Sequence, residues 1–154
     1  MDESGSARMV DVGHKPETPR EATAECFVRM APETIRALRT ATLAKGDAMG
    51  VARVAGILAA KRTHELIPLC HPLPVSSVAV EFEVNDAGVR IETTARVTGQ
   101  TGVEMEALTA AAVAGLTLID MVKGVERGVF LESVRLLSKR GGKSGEWRRE
   151  RSPT

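Results

Sequence analysis

From residue 22 to residue 30, small or apolar side chains fall on every second position: Ala22, Ala24, Cys26, Val28 and Met30. That alternation predicts a strand with one buried face. Pro32 then opens a short helix, because proline at a first helical position gives up only an N–H that would have no partner there. Asp47 is placed to cap a second helix running to about residue 65, with Val51, Val54, Ile57 and Leu58 along one face. Val78, Val80, Phe82 and Val84 alternate with Ser77, Ala79, Glu81 and Glu83, which predicts a second strand. Asn85-Asp86-Ala87-Gly88 reads as a turn, and residues 89–98 as the return strand of a hairpin. Thr101-Gly102-Val103-Glu104 has the capping-box pattern and predicts a third helix, ending near Lys123-Gly124. Residues 128–139 form a last strand. The resulting order, with two helices after the first strand and one before the last, is the split βαβ pattern of a ferredoxin-like α+β fold, a sheet with helices on one face.

The third helix carries no charge over residues 107–119. A helix that is apolar all round is usually buried all round, and one sheet covers only one side of it. Its other side is therefore expected to meet a second subunit, with Ala110, Ala111, Ala112, Ala114 and Gly115 allowing close approach. The alternative is burial under its own chain. Residues 1–8 and 147–154 are polar or basic and are expected to be loose tails around a single domain over 9–146.

Charge narrows the function classes. Lys and Arg number 21 against 20 Asp and Glu, a formal net charge of +1, without the basic excess of a nucleic-acid binder. Cys26 and Cys70 form no CxxC pair, which suits a reducing compartment without structural zinc. The acidic, polar N-terminus does not read as a signal peptide. The uncharged run is shorter than the roughly 20 residues that span a bilayer. A cytoplasmic protein without membrane or nucleic-acid partners is expected.

Candidate chemistry is concentrated at a few places. Leu66-Ile67-Pro68-Leu69-Cys70-His71-Pro72-Leu73 fixes a cysteine and a histidine between two prolines, each of which restricts its own φ and the residue before it. This predicts a stiff, extended connector that holds His71 in one orientation, whether for a substrate or to cap a helix or meet a backbone carbonyl. Asp120 and Lys123 are three residues apart on the third helix and share a side, as a catalytic pair or a surface ion pair. Glu104 and Glu106 lie at the other end. They can bind polar ring atoms, or merely favour the positive end of the helix dipole, Glu104 also as partner to Thr101. At ~1.5 Å per residue, Glu104 and Asp120 are separated by roughly 24 Å, so a small molecule can touch both only if a second subunit supplies one of them. Gly141-Gly142-Lys143-Ser144-Gly145 looks like part of a phosphate loop but lacks the first Walker glycine, since position 137 is leucine. It can be an anion nest, a lid or part of a tail.

Met9-Val10-Asp11-Val12, Lys45-Gly46-Asp47, Ala59-Ala60-Lys61-Arg62-Thr63, the 66–73 octapeptide, the run from Thr98-Gly99-Gln100-Thr101-Gly102 to Thr109, Asp120-Met121-Val122-Lys123 and the stretch 139–145 come in one order. Together they resemble the cyclic pyranopterin monophosphate synthases, the accessory protein C family of molybdenum cofactor biosynthesis, over roughly residues 9–146. The resemblance implies a ferredoxin-like subunit in a homohexamer built as a trimer of dimers, with active sites at the dimer interface. It implies a lyase that converts 3′,8-cyclo-7,8-dihydroguanosine 5′-triphosphate to cyclic pyranopterin monophosphate and pyrophosphate. It places the acid–base pair on Asp120 and Lys123, with Lys61 also catalytic. Substrate contacts fall on Cys70, His71, Glu104, Met105, Glu106, Arg20, Lys45 and Lys139, and Lys45 is expected to reach the site from the partner. Val122-Lys123-Gly124 stands where the family more often has Cys-Lys-Ala, which touches local packing only. No cofactor is required, although magnesium can accompany the triphosphate, and no metal-ligand set is visible. Two other readings use some of the same residues: a non-catalytic, ferredoxin-like nucleotide-binding regulator, and a Cys70/His71 metal protein that would need further ligands.

Overall fold

The computed structural model describes residues 5–150. Strand β1 (Thr18–Arg29) is followed by helices α1 (Pro32–Arg39), α2 (Ala48–Lys61) and the single turn α3 (Thr63–Leu66). Strands β2 (Ser77–Asn85) and β3 (Gly88–Gly99), helix α4 (Glu104–Val122), β4 (Phe130–Arg140) and the short β5 (Trp147–Arg148) complete the chain. The strands form one antiparallel sheet in the order β2-β3-β1-β4-β5. The first four have the ferredoxin-like arrangement, with the helices on one face.

The alternation in β1 is realised: Ala22, Ala24, Cys26 and Val28 are fully buried against α4. β1 starts earlier than its apolar pattern, because Thr18, Pro19 and Arg20 already pair with β3. Pro19 is tolerated near the strand's first position. The opposite face of the sheet is charged. The Glu25 carboxylate lies between Arg90 (2.8 Å) and Arg135 (2.6 Å), and Glu21 pairs with Arg96 and Arg140.

Three local expectations are corrected. First, α2 does not bury its large apolar residues: Val51, Val54 and Leu58 are about half exposed, while Ala48, Ala52, Gly56, Ala59 and Ala60 are buried. Gly56 lies so close to α4 that a Cβ there would stand 3.1 Å from the Ala110 carbonyl oxygen. Two helices this close need their smallest side chains between them, whatever the hydrophobicity of the rest. Asp47 does cap α2, accepting from the Gly50 N–H at 3.0 Å, but the helix breaks at Arg62 rather than running on to residue 65.

Second, α4 begins at Glu104 with Val103 at the cap and no side-chain cap. Glu104 is therefore the first helical residue, and Thr101 takes no part in a capping box. The apolar girth of α4 is explained largely within the chain, by the sheet on one side and α2 on the other. Met105 and Leu116 remain exposed. By length and composition α4 could cross a membrane, yet 56% of its apolar window is buried in the domain. Third, part of the expected C-terminal tail is ordered as β5. Its polar composition is no obstacle, because backbone groups carry the pairing: the Arg149 N–H donates to the Leu137 carbonyl at 2.7 Å. Residues 1–4 and 151–154 of the expected tails lie outside the described residues.

Candidate active site

At the C-terminal end of α4, one carboxylate holds two lysines. Lys123 Nζ is 2.8 Å from Asp120 Oδ1, and Lys45 Nζ is 3.1 Å from Oδ2. Helical spacing sets the first contact. The second is set by a tight turn, closed by a bond from the Gly46 N–H to the Leu43 carbonyl, just before Asp47 fixes the start of α2. Hydrogen bonds from Lys123 and then Lys45 hold the Asp120 carboxyl below its ordinary range. A depressed carboxyl stays ionised at every pH above its ordinary value, and what it gives the fold is lost only as pH falls through the lowered one. All three side chains are about half exposed, so the cluster is open to a ligand. The contact corrects the expected origin of Lys45, which reaches Asp120 of its own chain.

At the N-terminal end of α4, Glu106 is 2% exposed. The Cys70 thiol donates to its Oε2 at 3.5 Å, while Oε1 is buried with no hydrogen-bond partner among the described residues. Burial pushes the Glu106 carboxyl above its ordinary range, against its own backbone N–H and Cys70, which lower it. Burial, then the charge of Glu106, pushes the Cys70 thiol up to about 11, so at neutral pH it stays a thiol that donates a hydrogen bond rather than a thiolate nucleophile. The connector delivering it closes a turn, Cys70 N–H to Ile67 carbonyl at 3.1 Å, and then runs past His71 without regular secondary structure. The half-buried His71 ring makes no hydrogen bond among the described residues.

Glu106→Gln follows from this geometry as a stability test. A carboxyl whose folded pKa is raised weakens the fold as pH rises through that value. The substitution should raise Tm at pH 8, because it removes the buried charge even though one amide atom stays unpaired. It should change little at pH 4, where the wild-type carboxyl is protonated. Thermal scans at both pH values check it.

Arg20 and Lys139 meet a third cluster, at the end of the sheet from which β3 leads into α4. Arg20 Nε donates to the Gly99 carbonyl at 3.1 Å, and Lys139 Nζ is 2.7 Å from Ser144 Oγ. An open groove of about 450 Å³ runs beside Arg20, lined also by Glu21, Ser76, Arg96, Thr98 and Arg140 among others. Lys61 falls at this end too. Helix α2 runs antiparallel to α4, with Lys45 beside Asp120 and Gly56 against Ala110 and Ala114. Its last residue therefore lies toward Glu104.

The chain matches the MoaC family over residues 9–142. It belongs to the MoaC family. Among its relatives, a protein of Thermomicrobium roseum is 56% identical over 152 residues, 97% of this chain and 92% of that protein. Proteins of Brucella ovis and Brucella melitensis are each 55% identical over 149 residues, 96% of this chain and 90% of theirs. All three are named cyclic pyranopterin monophosphate synthase.

For this member of the MoaC family, the expected site residues thus fall into two groups within one chain. Lys45, Asp120 and Lys123 stand together, while Cys70, Glu104 and Glu106, with Lys61, Arg20 and Lys139 at the same end, lie roughly 24 Å away along α4 at ~1.5 Å per residue. Met105 is exposed on α4 beside the second group. His64 was not anticipated. It lies in the single turn α3 just after Lys61, near enough to Glu106 to act on its carboxyl, and only that position could have hinted at it. Among the described residues no three His, Cys, Asp or Glu side chains converge to hold a metal.

Proposed function

We propose that this protein is a cyclic pyranopterin monophosphate synthase, acting on 3′,8-cyclo-7,8-dihydroguanosine 5′-triphosphate with release of pyrophosphate. The observation that carries the reading is the Lys45–Asp120–Lys123 cluster in a chain of this family. Two lysines on one carboxylate suit repeated proton transfer: one ammonium can pass a proton to the substrate while the other keeps the carboxylate compensated. Opening a purine ring and rebuilding it as a pterin requires several such transfers. Closing the cyclic phosphate then requires a ribose oxygen to attack the α-phosphorus as pyrophosphate leaves, with cations around the developing charge. Arg20, Lys139 and Lys61 supply those cations, and the half-satisfied Glu106 carboxyl faces the ring. No resident cofactor is required, and magnesium would travel with the triphosphate as part of the substrate.

The same reading makes the working unit an oligomer, a hexamer arranged as a trimer of dimers, in the cytoplasm. Support comes from the separation of the two residue groups and from the outward apolar residues Val51, Val54, Leu58 and Leu116. Sedimentation at micromolar concentration should give a mass well above the 16.4 kDa chain. The direct test of function supplies the cyclised dihydro-GTP to the purified protein. Appearance of the pterin product with one equivalent of pyrophosphate supports the reading, and an unchanged substrate overturns it.

A further inference from the structure

The stretch from Arg140 to Glu146 connects β4 to β5, and its glycines at 141, 142 and 145 all have left-handed backbone, with φ of +96°, +77° and +68°. They differ in what they touch. A Cβ on Gly142 would stand 2.1 Å from the Arg20 Nη1, whereas a Cβ on Gly145 would meet nothing within 4 Å. The guanidinium of Arg20 therefore rests in the space a side chain at 142 would fill, while its Nε is tied to the Gly99 carbonyl. Across the loop, Ser144 Oγ holds the Lys139 ammonium at 2.7 Å, and a bond from the Gly145 N–H to the Gly142 carbonyl closes the turn between them. Arg20 and Lys139 enter from different strands, on long side chains with much rotamer freedom to lose. The loop restrains both.

We propose that Gly142 and Ser144 are positioning residues of an oligophosphate subsite, Gly142 by seating the Arg20 guanidinium and Ser144 by tethering the Lys139 ammonium. The proposal deepens the functional reading above, whose substrate carries a triphosphate, and rests on it for that chemistry. Cations fixed before the ligand arrives lose less freedom on binding, and a guanidinium engages phosphate oxygens in a planar fork that tolerates little misplacement. The glycine thus sets affinity without touching phosphate.

The comparison of Gly142→Ala with Gly145→Ala tests this, because both place a Cβ on left-handed backbone and only the first displaces Arg20. Arg20 is a flexible side chain, so moving its tip relieves the overlap and leaves the fold intact. Binding of inorganic tripolyphosphate by calorimetry should weaken about 10-fold in Gly142→Ala and stay within about twofold of wild type in Gly145→Ala, with similar Tm changes in both. With the cyclised nucleotide, Gly142→Ala should raise KM by a like factor while kcat moves less than about twofold. Ser144→Ala should weaken tripolyphosphate binding about two- to threefold, and Ser144→Thr should restore it. If the wild type does not bind tripolyphosphate, or if the two glycine variants behave alike, the inference is wrong even where the wild type turns over the nucleotide. If the loop variants behave as expected but no pterin forms, the functional reading fails and the oligophosphate subsite stands.

Discussion

Lys123→Ala should lose at least about 100-fold in turnover, the usual scale for a missing general acid or base, while Tm stays within about 2 °C. The two halves of this expectation come from the same geometry. Lys123 and Asp120 are about half exposed, and an exposed ion pair three residues apart on a helix adds little to the fold because solvent screens it. Lys45 remains on Asp120 in the variant, so the carboxylate keeps a partner and the helix end keeps its shape. What disappears is the ammonium that can give up a proton. Lys123→Arg separates charge from proton transfer. A guanidinium keeps the charge but does not deprotonate in proteins, so this variant should remain as impaired as alanine in kcat even where its KM is near normal. Wild-type turnover in Lys123→Ala would make the three-residue cluster a surface ion network and nothing more.

The fold was legible because its strands and helices follow clear periods: the alternation in β1 and β2, the Asn85–Gly88 turn, Pro32 at the start of α1 and Asp47 at the cap of α2 all lie where their chemistry predicts. What misled was the assumption that the largest apolar residues of a helix face the core. In α2 the core side is a ridge of alanine and glycine, because two helix backbones approach too closely for valine or leucine. The Thr101–Glu104 capping box failed for a related reason. Pattern alone does not fix where a helix begins, and the end of β3 delivers the chain so that Glu104 already occupies the first turn. β5 was invisible because backbone pairing at a sheet edge needs no apolar sequence.

The sequence named candidate residues but not their grouping. Asp120 and Lys123 are neighbours by helical spacing, so the sequence names them as a pair. Lys45 joins them across a long stretch of chain through a turn whose direction no periodicity encodes. The Cys70–Glu106 bond likewise depends on where a proline-bounded connector crosses the start of α4. Spacing along α4 did set its two ends roughly 24 Å apart, at ~1.5 Å per residue.

The most direct test of the account is therefore complementation between chains, since its central claim is that each chain carries two halves of a site at opposite ends of one helix. Asp120→Ala and Glu104→Ala should each be nearly inactive alone. Mixed after dissociation and allowed to exchange, half of the two-fold interfaces would pair unlike chains, and each of those would place both lesions in one site and leave the other whole. About a quarter of wild-type activity should return. Mixing Lys45→Ala with Asp120→Ala should restore none, because those two side chains meet within a single chain. If mass-tagged chains confirm exchange and the Asp120→Ala and Glu104→Ala mixture stays inactive, the two halves do not meet across subunits and the account is contradicted.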